Sequence, residues 1–187
     1  MEFLAALWLP VVLSAVFVFI ASSVIHMATP LHKNDYTILQ QEDQVLATMR
    51  EAGVRPGHYM FPRASSMKEM SSPEHLDKMN RGPVGFMTIL PSGPVAMGKN
   101  LGLWFLFSLI VSVFTAYLTS LALAPGAHYL AVFRIAGTVA VLGHAVTHIP
   151  DSIWKGLSWG ITAKFIFSGI IYGLVTAGTF AWLWPST

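Results

Sequence analysis

Arg134, His144, His148 and Asp151 interrupt or bound a stretch of chain that is otherwise apolar. On a continuous helix the four fall within an arc of about 100°, with the two histidines one turn apart and Arg134 about 15 Å further along the axis. An ionisable group inside a bilayer costs at least about 2.5 kcal/mol, so this edge is expected to face other helices and not lipid. His26 closes an earlier apolar stretch at the same end, and His32 follows it.

Three kinds of chemistry compete for these groups. Imidazoles of His26, His144 and His148, completed by Asp151, would bind a divalent metal. Alternatively, one of the histidines would ligate the iron of haem b opposite His26, with Arg134 or Lys164 meeting a propionate or a quinone oxygen. In the third reading the rings hydrogen-bond to backbone and headgroups, and Arg134 snorkels to lipid phosphates. Tyr172 is a further polar group within an apolar stretch, and it is a candidate hydrogen-bond partner for the histidines. The remaining histidines, His58, His75 and His128, are isolated, which argues against the several histidine boxes of a membrane di-iron oxygenase. The chain has no cysteine, so iron–sulfur clusters and thiol catalysis are excluded too. There is no Gly-x-Ser-x-Gly elbow and no phosphate-binding glycine loop. No acidic residue lies deep in an apolar stretch, which argues against a proton-coupled carrier.

The elements that must position these groups follow from composition. Of 187 residues, 54% are hydrophobic and 11% charged, where a soluble domain carries roughly 25% charged residues. Fifteen of the 20 charged residues lie between Lys33 and Lys99. Outside that window four stretches are long and apolar enough to span a bilayer, at Phe3–Ile25, Leu101–Leu123, His128–Ile149 and Ile161–Trp184. Pro125-Gly126 ends the second and Pro150 is expected to close the third. The first lacks a basic n-region and reads as a retained helix, not a cleaved signal. The expected fold is an all-α integral membrane bundle of four transmembrane helices with a small α+β insertion between the first two. Its divisions are 1–28, 29–99 and 100–187.

Eight of the 11 basic residues lie in the 29–99 segment. By the excess of Lys and Arg on the inner side, that segment is expected to be cytoplasmic and both termini outside. Within it, Gln41–Ala52 has the pattern of an amphipathic helix stopped by Gly53, and Ser72-Pro73 marks the start of another. Val84–Leu90 and Val95–Met97 are expected to pair as a hairpin around Pro91-Ser92-Gly93-Pro94. Seven of the nine methionines also lie there. Met67-Lys68-Glu69-Met70 has a soft-metal spacing, while dispersed methionines suit an adaptable contact surface.

Small residues recur at helical spacing in two stripes, Ser108, Ser112, Thr115 and Thr119, and Gly169, Gly173 and Ala177. Such stripes let helix backbones approach closely, within a chain or between subunits. The pattern, including the Gly82-Pro83-Val84-Gly85 turn, is similar to small bacterial membrane proteins, and the expected location is a bacterial inner membrane. The expected function is a non-enzymatic accessory or self-assembling subunit, with lipid as its solvent and a homo-oligomer or larger membrane complex as its setting. The alternative is a metal- or haem-binding protein. The net charge of +2 is too small to suggest nucleic acid.

Overall fold

Helix α1 runs Glu2–Ala28, with Pro10 buried inside it. Helices α5 (Met97–Ala122), α6 (Tyr129–His144), α7 (Ile149–Lys155) and α8 (Trp159–Trp182) complete the helical part that holds the candidate residues. The structure is a computed structural model and describes residues 2–186. Four helical stretches, 3–28, 97–122, 129–155 and 159–182, are long and apolar enough to cross a membrane. Half of the most apolar window of α8 is buried, against about a third in the others, so α8 is the central helix.

Many of the buried residues between these helices are small and hydroxylated, among them Ser14, Ser108, Ser112, Thr115, Thr119, Thr162, Thr176 and Thr179. Large apolar side chains such as Phe17, Ile20, Leu103, Phe114, Leu121 and Leu174 point outward. A hydrocarbon solvent would select this distribution, because it offers no hydrophobic drive to bury large side chains and close packing decides instead. Both small-residue stripes lie inside the chain. Ser112 Oγ meets Ser14 Oγ at 2.8 Å, joining α5 to α1. On α8, Gly169 lies against the His144 carbonyl and Gly173 against Val141, where a Cβ would stand 2.5 and 2.4 Å from the nearest atom. Ala177 packs on Gly137 in the same seam. Neither stripe is left on the surface.

Two ends of the bundle can be told apart. At one, Gly126 N donates to the Pro185 carbonyl at 2.7 Å and Trp184 Nε1 to the Ala124 carbonyl at 3.1 Å. A core of Leu7, Val11, Val132 and Phe180 lies behind them. At the other end, Val18, Ile25 and Tyr172 pack with Trp104 and Leu31.

The third span departs from the expected single helix closed by Pro150. α6 stops at His144, residues 146–148 form a 3₁₀ turn, and α7 then carries the chain through Pro150 to Lys155. Proline has no N–H for the carbonyl four residues back, at Val146, and its ring would clash there. The helix restarts so that Pro150 falls in a first turn, where neither defect matters. An unbroken 100° progression therefore does not relate His144 to His148.

Residues 37–95 form a second compact unit, to which 154–156 also belong. Here α2 (Glu42–Glu51) ends at Ala52 and Gly53, as its sequence implies. In α4 (Pro73–Arg81), Ser72 Oγ accepts from His75 N at 3.2 Å and caps the helix. The short α3 (Met67–Met70) is capped by Ser66 Oγ, which accepts from Glu69 N, while the Glu69 carboxylate accepts from Ser65 N and Ser65 Oγ. Those bonds hold the Glu69 carboxyl below its usual range. The expected hairpin is not formed. Strand β2 (Gly85–Ile89) pairs antiparallel with β1 (Gly57–Phe61), in the register Gly57↔Ile89 to Phe61↔Gly85. Pro91 and Pro94 have no N–H to give a ladder, so the chain after β2 cannot fold back along it, and the aromatic strand before α3 takes that place.

Candidate functional site

The first compact unit, which comprises 1–36, 96–153 and 157–187, contains every candidate residue on the spans. Between its helices lies a cavity of about 980 Å³, within the size range of small-molecule sites. Its walls come from the end of α1, the start of α5, the break after α6 and the first half of α8. Trp104, Phe107 and Phe165 supply aromatic surface, and His26, His144, His148, Ser168 and Tyr172 supply polar atoms. No Lys, Arg, Asp or Glu is among the lining residues.

His144 and Tyr172 are 3% and 4% exposed, and neither His144 ring nitrogen nor Tyr172 Oη has a hydrogen-bond partner. Their rings meet edge to face at 5.7 Å, and Phe107 and Trp104 flank the imidazole at 5.5 and 6.2 Å. The Ser168 hydroxyl is beside Tyr172 but outside hydrogen-bonding geometry. Burying such a group unpaired costs about 1–3 kcal/mol. Among the described residues, His144 and Tyr172 thus line the cavity while carrying three buried polar atoms without partners.

The expected metal ligands His26, His144 and His148 line the same cavity, but their rings are engaged separately. His148 stacks on Phe165 at 5.0 Å, His26 stacks on His32 at 4.4 Å, and His144 is enclosed by aromatic rings. Among the described residues no three His, Cys, Asp or Glu side chains are arranged to hold a metal ion. The partners expected for haem propionates lie elsewhere as well. Arg134 is exposed on the outer face of α6 and does not share an inward edge with His144. Lys164 Nζ donates to Asp35 Oδ1 at 2.7 Å. The inward edge therefore reduces to His144, with His148 beside it on a different backbone path.

Sequence reasoning missed a second cluster, which adjoins the cavity. The turn after α1 carries His32 and Asp35, both buried, and His32 Nδ1 meets Asp35 Oδ2 at 2.6 Å. The opposite ring nitrogen, Nε2, meets Ser168 Oγ at 3.0 Å. Asp35 thus bridges His32 and Lys164. The Lys164 ammonium, followed by the His32 ring, holds its carboxyl below the ordinary carboxylate range in spite of burial. The only trace of this in the sequence is the i, i+3 spacing of His32 and Asp35; nothing there points to Ser168, 136 positions away.

The Asp35 pairing stabilises the fold fully at pH above about 4 and is lost only as pH falls through the depressed pKa. Asp35→Asn removes the charge and leaves Lys164 with a weaker acceptor, at an expected cost of about 2 kcal/mol. Trypsin cleavage after the exposed Lys33 checks this. It should be slow in the unaltered protein at pH 7 and markedly faster in Asp35→Asn, and equal rates would contradict the latch.

With the geometry in place, comparison with known proteins gives no match: no family model fits the chain, and no curated protein or solved structure is similar to it.

Proposed function

We propose that this chain is an integral membrane protein that binds a neutral lipophilic molecule, admitted from the bilayer, in the cavity bounded by Trp104, Phe107, His144 and Tyr172. The observation that carries this reading is that two residues lining the cavity, His144 and Tyr172, hold three buried polar atoms without partners, in a lining with no Lys, Arg, Asp or Glu. An ionic ligand would find no counter-charge there. A hydrocarbon body suits the aromatic walls, and a carbonyl or hydroxyl head suits the imidazole and the phenol.

The outward-facing apolar side chains support insertion in a membrane. The basic excess of the 29–99 segment supports a cytoplasmic position for it, with both termini outside. A cysteine introduced at Ser66, shielded from an impermeant reagent in intact cells, is the expected result for that orientation; its labelling would reverse it. The cavity end of the bundle would then face the cytoplasm. The role of an accessory or self-assembling subunit loses its support in the small-residue stripes, since both are buried within one chain.

Photocrosslinking tests ligand binding. A monoacylglycerol carrying a diazirine in its chain should attach to peptides containing Trp104–Phe107 or His144–His148, with unlabelled lipid competing. Adducts confined to outward residues such as Phe114 and Leu118, without competition, would contradict the reading.

A further inference from the structure

The two clusters share a wall. Ser168 lines the cavity and accepts or donates a hydrogen bond at His32 Nε2, while His32 Nδ1 is held by Asp35. A hydroxyl, an imidazole and a carboxylate are therefore joined in one chain, with each ring nitrogen serving one neighbour. An imidazole whose Nδ1–H is fixed by a carboxylate has Nε2 free to take a proton, so the hydroxyl against Nε2 is the one that can be activated. Lys164 holds the outer oxygen of Asp35 and leaves the inner one for His32. Ser168 is 1% exposed in all, so a substrate approaches it only from the cavity that it lines and by a small outward movement of the neighbouring side chains. It lies about 14 Å along α8 from Trp159, a depth that a lipid-dissolved carbonyl reaches and a water-soluble substrate does not.

We propose that Ser168, His32 and Asp35 form a nucleophilic triad that cleaves an uncharged fatty acyl ester bound in the cavity. This rests on the binding function proposed above and names its substrate class. Ser168 Oγ adds to the ester carbonyl carbon as its proton passes to His32 Nε2. The carbon–oxygen bond to the alcohol breaks, His32 returns the proton to the departing alcohol oxygen, and the acyl group stays on Ser168. Water, giving a proton to His32, then attacks the acyl carbon; the fatty acid leaves and Ser168 regains its proton. The negative oxygen formed at each addition needs donors. Backbone N–H groups around Ser168 are committed to the helix, and Tyr172 Oη, one turn along the same face, has no partner. Tyr172 is the group assigned to that oxygen.

A long-chain alkyl fluorophosphonate, which phosphonylates activated serines, tests this on the intact protein in liposomes. Peptide mapping of the unaltered protein should place the adduct on Ser168, and Ser168→Ala should abolish it. His32→Gln should slow labelling by roughly 1,000-fold or more. Tyr172→Phe, which leaves the triad in place, should slow it by about 100-fold. Crosslinking of the diazirine lipid, measured on every variant, reports whether the cavity persists. Crosslinking of the cavity without phosphonylation of Ser168 would overturn the triad and leave the binding function standing. Loss of both in the unaltered protein would overturn both.

Discussion

Gly169→Ala is expected to destabilise the protein by about 3 kcal/mol, although alanine is the better helix former by about 1 kcal/mol. A Cβ at this position would stand 2.5 Å from the His144 carbonyl oxygen and 2.7 Å from Ala145 Cα. Those are backbone atoms, so no flexible side chain can swing aside, and α6 must move off α8. The movement would displace His144 itself, so the same substitution is expected to empty the cavity. Gly178 lies on the same helix with nothing within 4 Å of a Cβ. Gly178→Ala should therefore be neutral or stabilising by up to about 1 kcal/mol. Unfolding of both variants in detergent, followed by circular dichroism, gives the comparison. Similar stabilities for the two would show that the α6–α8 seam is looser than described.

His144→Phe is expected to do the opposite to stability while removing function. The imidazole carries two ring nitrogens without partners among Trp104, Phe107 and Tyr172. A phenyl ring suits those aromatic neighbours and has no buried polar atom, so the ligand-free protein should gain about 1–2 kcal/mol. A residue that costs stability where it stands is consistent with selection for what it binds. Ligand retention should fall in step, because the imidazole is one of two groups available to the polar head. A variant that is less stable than the unaltered protein when both are stripped of lipid would mean that the ring is already satisfied. The cavity would then be a packing void.

The division between what was legible in the sequence and what was not has a physical cause in each case. Uninterrupted apolar runs report spans directly, because a bilayer makes the same demand of every residue along them. The Ser72-Pro73 cap and the two small-residue stripes are likewise local patterns, and the structure places both stripes at helix contacts. Pro150 was visible as a breaker, yet its effect falls four residues upstream, at the carbonyl it cannot serve. That displacement carried the expected alignment of His144 with His148 away with it. Arg134 and His144 share the unbroken α6 but stand about 80° apart around it, enough for one to point out while the other is buried. The pairing of β1 with β2 crosses two short helices, so no turn motif announces it. The cluster of His32, Asp35, Lys164 and Ser168 joins residues up to 136 positions apart, a proximity that only packing of α1 against α8 creates.

Native mass spectrometry of the protein, released gently from its own membrane, reads out what the cavity holds. Lipid binding in the cavity predicts a retained adduct with the mass of an uncharged lipid on the unaltered protein, and its loss from folded His144→Phe. A bare mass for the unaltered protein, or the same adduct on both proteins, would contradict it.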